Sequence, residues 1–344
     1  MDETPGYLKN YRDYARIYIL LALAGCIGFT VMIFAYVPGF LAPRTPHAEP
    51  IVLGDEIEAP TENPFSKISI EAGAAIVYDV NRKSILYGKN TNVQLPLASL
   101  TKLMTVLVAT EYLSSENMVA IGASANLDDF NTVFNEGDRW KFKDLVDLTL
   151  VISSNRGAQA LANAASGAFQ AKNSIESGTL LMPKTFTESM NDKARELGLS
   201  QTYYLNPTGL DTNAEVAGGV GSAYDTALLL SYLIEHVPHT IEVTRYPSVT
   251  VATPEDAHFR AQNTNADIGI IPGLIASKTG YTNLAGGNLA IAFDAGIGHP
   301  VIVVVLASTQ SGRFSDVRKL IEASLACLES DCAALPTETD NSVS

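Results

Sequence analysis

The chain has 344 residues, of which 47% are hydrophobic and 17% charged, and 23 Lys and Arg against 37 Asp and Glu leave a net charge of −14. That apolar content excludes a disordered chain, and the acidic balance excludes a nucleic-acid binder, which needs a basic face. Three cysteines are too few for a disulfide scaffold and match no zinc-site spacing, while a mean hydropathy of +0.12 is high for a soluble protein.

Residues 1–16 read as a cytoplasmic tail. No charge occurs from Ile17 to Pro43, and Ile17–Tyr36 is a twenty-residue apolar run. As a helix rising about 1.5 Å per residue, it matches the roughly 30 Å hydrocarbon core of a bilayer. Lys9, Arg12 and Arg16 precede the run and only Arg44 closely follows it, so the positive-inside bias puts the N-terminus in the cytoplasm and the remainder outside. A buried core helix seldom stays uncharged for this long. A cleaved signal peptide has an apolar region of about 7–15 residues with a small-residue site behind it, whereas Ala22 and Ala24 form an A-x-A inside the run. The pattern favours an uncleaved signal anchor over residues 17–37. Lys9, Arg12 and Arg16 cancel Asp2, Glu3 and Asp13, so the whole −14 lies on the exported part, which must meet an anion through a local basic pocket.

Residues 38–66, rich in Pro and Glu, read as an extended linker. One continuous domain, 67–330, follows, and 331–344 read as a disordered acidic tail. Ala74–Val80 and Ser84–Tyr87 predict a β-hairpin. Ser99–Leu113 predicts a buried helix, and Lys143–Ile152, Arg156–Ala165, Thr187–Leu197 and Ala223–His236 carry helical patterns. Ser277–Tyr281, Leu289–Phe293 and Val301–Ala307 are strand-like. Phe314, Val317, Leu320, Ile321, Leu325 and Leu328 then recur at helical spacing. Strands at both ends with helices between predict a sheet assembled from the two ends of the domain, beside a helical lobe.

Three short motifs carry chemistry. Ser99-Leu100-Thr101-Lys102 is the chain's one S-x-x-K. At i, i+3 on a helix the Lys102 stem reaches the Ser99 hydroxyl, and the helix N-terminus supplies positive potential to an oxyanion. A desolvated lysine near a second cation can take the serine's proton. Lys278-Thr279-Gly280 is also unique; on a strand beside a cleft, the lysine and hydroxyl suit a carboxylate and the glycine admits a substrate backbone. Ser-x-Asn occurs four times, at Ser115/Asn117, Ser124/Asn126, Ser153/Asn155 and Ser189/Asn191. Ser153/Asn155 stands at a predicted helix-to-helix corner, which favours it. In isolation the favoured readings are the ordinary ones, a capping serine with a partly solvated lysine for the first motif and a solvated lysine before a turn for the second.

Together and in this order the motifs resemble the signature of the penicillin-binding proteins and serine β-lactamases. Phe186–Asp211, Ser222-Ala223-Tyr224-Asp225 and Lys278–Gly287 look like the D-alanyl-D-alanine carboxypeptidases, the low-molecular-mass penicillin-binding proteins, over roughly Ile70–Cys327. The resemblance implies an α/β (α+β) fold, an antiparallel five-stranded sheet flanked by helices with a helical lobe and the site between them. It implies Ser99 as the acylated nucleophile, Lys102 as general base and Ser153 as proton relay. Asn155 would hold the substrate amide, Lys278 and Thr279 the terminal carboxylate, with Gly280 beside them, and the N–H groups of Ser99 and Tyr281 would form the oxyanion hole. The implied partners are a peptidoglycan stem peptide ending in D-Ala-D-Ala, and β-lactams as covalent inhibitors. The implied place is the bacterial cell membrane, held through the N-terminal helix with the catalytic domain outside. No cofactor or metal is implied. Arg156 departs from the acidic residue common in that position.

The alternatives are a DD-endopeptidase, a class A β-lactamase, for which Glu196…Leu199 is followed by Ser200 where asparagine is needed, and a silent penicillin-sensing or wall-binding module. No G-x-S-x-G elbow occurs. His236 and His239 lack an obvious third metal ligand. Cys327 and Cys332, in an oxidising compartment, could form a disulfide, although five residues within or just past a helix is awkward geometry for one.

Overall fold

The central strands are apolar at nearly every position because both faces of their sheet are covered. The computed structural model describes residues 63–123, 133–177, 184–255, 257–330 and 332. These belong to a compact unit that begins at Ala59. The predicted tail, membrane span and most of the linker, and residues 333–344, lie outside the described residues. Among those described, no helix is long and apolar enough to cross a membrane.

The strands are β1 (Ala74–Asp79), β2 (Ser84–Lys89), β3 (Leu95–Pro96), β4 (Met118–Ala120), β5 (Arg139–Lys141), β6 (Tyr203–Tyr204), β7 (Gly219–Gly221), β8 (Ser248–Ala252), β9 (His258–Gln262), β10 (Leu274–Thr282), β11 (Gly286–Asp294) and β12 (Pro300–Ser308). The helices are α1 (Thr101–Thr110), α2 (Phe142–Val151), α3 (Asn155–Ser177), α4 (Phe186–Glu196), α5 (Ala223–His236), the short α6 (Pro238–Ile241) and α7 (Gly312–Glu329). The main sheet has five strands in the order β10-β11-β12-β1-β2, all paired antiparallel. The N-terminal strand closes on the C-terminal one, with Ile76 opposite Val304 and Val77 opposite Val303.

Alternation along each strand sends its residues to two separate cores. Ile76, Ile302, Val304 and Leu306 pack with Leu103, Leu107, Leu148, Leu161 and Leu230 from the helical side. Val77, Ile291, Val303 and Val305 pack on the other side with Leu320 and Ile321 of α7. An antiparallel sheet with one wet face would alternate apolar and polar; the run Val301–Ala307 has no polar residue because neither face is wet.

The predicted elements have shifted ends. α1 starts at Thr101, and the preceding Ala98–Leu100 is a 3-10 turn, so Ser99 sits just before the α-helix rather than inside it. α1 stops at Thr110, short of Leu113. α3 extends past Ala165 to Ser177, and its continuation contains no proline to end it. α5 has the predicted bounds, opened by the Ser222 hydroxyl accepting from the Asp225 N–H at 3.0 Å. The hairpin β8–β9 was not predicted: Val249, Val251, Phe259 and Ala261 do alternate toward the core, but each strand is only five residues long and fully buries only one of them, Val251 or Ala261.

Both edges of the domain extend beyond their predicted limits. Pro64–Lys67 is a 3-10 turn rather than linker, with Phe65 buried and stacked on Tyr87 at 5.3 Å. At the other end Cys327 and Cys332 are disulfide-bonded, with Cα atoms 5.0 Å apart. The awkward spacing is relieved because α7 ends at Glu329, and the Cys332 N–H turns back to the Cys327 carbonyl at 2.9 Å.

Candidate active site

Ser99 lies between the two lobes on the turn that feeds α1. Lys102, one turn further on, is fully buried. Its Nζ donates to Ser99 Oγ at 2.9 Å, to Asn155 Oδ1 at 2.8 Å and to the Thr208 carbonyl at 2.7 Å. The lysine thus joins three separate chain segments at the serine.

Ser153-Ser154-Asn155 forms the predicted corner between α2 and α3. Ser153 has φ +60°, a left-handed conformation costly for a residue with a Cβ and typical of functional corners. Ser154 serves the helix instead, accepting from the Gly157 N–H at 2.9 Å. The corner therefore frees Ser153 to meet Lys278, whose Nζ donates to Ser153 Oγ at 2.8 Å, while Asn155 meets Lys102. Of the competing Ser-x-Asn pairs, Asn117 caps a local turn by accepting from Ser114. Asn191 holds the Tyr204 backbone through both its side-chain atoms. Ser124/Asn126 lies outside the described residues.

β10 carries Lys278, Thr279, Gly280 and Tyr281 along the cleft. A Cβ on Gly280 would come within 2.9 Å of the Leu97 carbonyl oxygen and 3.2 Å of the Ser99 nitrogen, so glycine lets the strand lie directly against the nucleophile turn. Lys278 and Thr279 are buried, whereas Tyr281 is 47% exposed at the mouth. Burial, with Lys102 and then Arg313 adding repulsion, holds the Lys278 amine well below the usual lysine range. The charges that act on it are both positive, so an entering anion would relieve the site.

Several contributors carry no motif. Arg313 of α7, buried, donates through Nη1 to the Gly280 carbonyl at 2.7 Å, and burial lowers its pKa. Asn206 builds the turn that presents the Thr208 carbonyl. Its Oδ1 accepts from the Thr208 N–H, the Thr208 hydroxyl and the Gly209 N–H, and its Nδ2 donates to the Leu210 carbonyl. Gly209, at φ +76°, leaves no room for a side chain, since a Cβ would stand 1.9 Å from the Ala98 carbonyl oxygen. Asp211 fastens the far end of the same loop to the strand, accepting from the Thr282 hydroxyl at 3.0 Å and the Leu284 N–H at 3.2 Å. A sequence signal for this loop did exist, in the Asn-Pro-Thr-Gly turn chemistry of 206–209. Arg313 had no comparable signal.

The other candidates fall elsewhere. Arg156 donates to the Phe134 carbonyl at 2.7 Å, and Phe134 packs edge-on against Trp140, so this departure from the acidic pattern serves to hold the neighbouring segment. Glu196 pairs with Lys193 at 2.6 Å and is largely exposed. His236 stacks on Tyr232, and no group of three or more His, Cys, Asp or Glu among the described residues could hold a metal ion.

A serine and two buried lysines, set between an antiparallel sheet and a helical lobe, are the fold and cleft of a low-molecular-mass penicillin-binding protein. The chain belongs to the D-alanyl-D-alanine carboxypeptidase family, peptidase family S11, which residues 59–310 match. It is similar to the D-alanyl-D-alanine carboxypeptidase DacF of Bacillus subtilis, 29% identical over 263 residues, which are 75% of this chain and 63% of DacF. It is also similar to the D-alanyl-D-alanine endopeptidase of Pseudomonas aeruginosa, 28% identical over 73% of this chain and 76% of that protein. Penicillin-binding protein D2 of Listeria monocytogenes, solved in its ampicillin-bound form, has a TM-score of 0.62 at 31% identity and covers 74% of this chain and 98% of its own. The chain thus spans a little under two thirds of the DacF length.

Proposed function

We propose that this chain is a serine D-Ala-D-Ala carboxypeptidase that trims peptidoglycan stem peptides and is acylated by β-lactams. The carrying observation is the pair of contacts Lys102–Ser99 and Lys278–Ser153, which links the nucleophile to a base and the opposite wall to a cation. Ser99 Oγ attacks the carbonyl carbon of the penultimate D-alanine as its proton passes to Lys102, which in this step is the neutral amine, giving its two hydrogens to Asn155 Oδ1 and the Thr208 carbonyl and its lone pair to the Ser99 hydroxyl. The bond to the terminal D-alanine nitrogen breaks, and that nitrogen takes the proton through Ser153. Water then hydrolyses the ester, restoring Ser99. The N–H groups of Ser99 and Tyr281 face the developing oxyanion, and Asn155 holds the peptide amide. Lys278, Thr279 and Arg313 receive the terminal carboxylate. A carboxypeptidase needs such a cation set because its substrate ends in a charge that the acidic surface would otherwise repel.

The test is mass spectrometry of the full chain with a synthetic stem pentapeptide and with penicillin. The expected results are release of one D-alanine and a penicilloyl adduct on the Ser99 peptide, both absent in Ser99→Ala. A wild type that does neither overturns the proposal. The endopeptidase reading is favoured by one observation, the greater share of the Pseudomonas aeruginosa endopeptidase that the chain covers. Faster cleavage of a cross-linked stem dimer than of the pentapeptide would establish it.

Residues 17–37 are proposed as a signal anchor that keeps the catalytic domain at the outer face of the bacterial cell membrane, on the strength of the uncharged run and its preceding basic residues. The full chain should stay with membranes through alkaline carbonate washing, and a chain lacking residues 1–43 should not. Release of the full chain by carbonate would refute the anchor.

A further inference from the structure

Thr279 of the K-T-G strand has a hydroxyl neighbour that no motif contains. Thr264 Oγ1 lies 2.6 Å from Thr279 Oγ1. Thr264 follows the β8–β9 hairpin and is exposed at the cleft, whereas Thr279 is buried. Its backbone is held independently of its side chain, because the Thr264 N–H donates to the Val151 carbonyl, at the end of α2, at 3.1 Å. Asn263 Oδ1 also accepts from the Asn265 N–H at 2.9 Å, closing the turn around it.

A hydroxyl has one hydrogen and two acceptor lone pairs. At 2.6 Å the two threonines share one hydrogen and keep one to offer elsewhere. If Thr279 donates to Thr264, its own hydrogen is turned away from the cleft. If Thr264 donates to Thr279, the Thr279 hydrogen is free to point at an anion. Only the second arrangement suits a carboxylate at Thr279, and in it each O–H strengthens the next by polarisation.

We propose that Thr264 is a positioning residue for the carboxylate subsite: it donates to Thr279 and so turns the Thr279 hydroxyl toward the substrate carboxylate. The inference rests on the carboxypeptidase reading and deepens it. Thr264 acts through Thr279 and leaves the acylation chemistry at Ser99 untouched, so it should tune recognition of ligands that carry the carboxylate and no others.

The test uses the full chain and two boronic acids that differ only in a carboxylate, both forming a reversible covalent bond with the serine. Thr264→Val keeps the side-chain shape and the N–H bond to Val151. It should weaken the carboxylate-bearing boronate about two- to tenfold, the worth of one hydrogen bond, and leave the other unchanged. Thr264→Ser should restore wild-type affinity. Thr279→Val should weaken the same ligand at least as much, and adding Thr264→Val to it should cost nothing further, as expected for coupled residues. Equal weakening of both boronates, which marks a merely structural role, overturns the inference. So does an unchanged Thr264→Val, or additivity with Thr279→Val. A wild type that binds neither boronate overturns the serine-peptidase reading together with this one, whereas the preceding outcomes leave that reading standing.

Discussion

Replacing Lys102 with methionine should slow acylation of Ser99 about 10²- to 10⁴-fold, the usual contribution of a positioned general base. Methionine fills a similar volume, so the change removes the amine while keeping the packing around α1. The Thr208 carbonyl and Asn155 Oδ1 lose a donor at 2.7 and 2.8 Å, but the desolvation cost of a wholly buried amine disappears with it. The melting temperature should therefore not fall with the rate. Time courses of labelling by fluorescent penicillin give the acylation rate, and a thermal melt reports the fold. Wild-type labelling by Lys102→Met would remove this lysine from the proton path. Loss of both labelling and fold would make it a structural residue.

The residues that were legible in the sequence are those whose partners are close along the chain or whose surroundings repeat. Ser99 and Lys102 sit one helical turn apart, and the reach of lysine over that distance is fixed by helix geometry. Val301–Ala307 declared itself as a strand through an unbroken apolar run, and Ala74–Val80, apolar but for Asp79, declared itself as half of a hairpin through the short polar turn that joins it to Ser84–Tyr87. Ala223–His236 declared itself through its periodicity, with Ser222 before it. Arg313 and Thr264 were not legible, because each reaches β10 from an element distant in sequence and touches it through a backbone carbonyl or a single hydroxyl. The third partner of Lys102 is a main-chain carbonyl, that of Thr208, for which no residue type is diagnostic. Its support by Asn206 shows only when the turn is folded. The Cys327–Cys332 bond depended on where α7 ends, and helix ends are the least determined part of any periodic pattern.

Lys278→Met should raise KM for the stem pentapeptide about ten- to a hundredfold, the range expected when a charge-assisted hydrogen bond to a buried group is lost. It should also change two pH profiles in opposite senses. In the folded protein, burial and the neighbouring cations Lys102 and Arg313 hold Lys278 well below the usual lysine range. Carboxylate binding needs the charged form, so affinity is fully present below that lowered pKa and is lost as pH rises through it, earlier than for an ordinary lysine. Stability moves the other way. Between the lowered native pKa and the ordinary unfolded one, the unfolded chain holds more protons, so stability rises with pH across that window. Methionine has no proton to lose. Lys278→Met should therefore be the more stable protein at neutral pH, with its advantage shrinking as the pH climbs through the window, and its KM should not show the alkaline rise due to Lys278. Steady-state kinetics and thermal melts of both proteins over neutral to alkaline pH measure the two effects. An alkaline rise in KM that persists unchanged in Lys278→Met would assign the carboxylate to another cation, with Arg313, on the same strand's carbonyl, the next to be replaced.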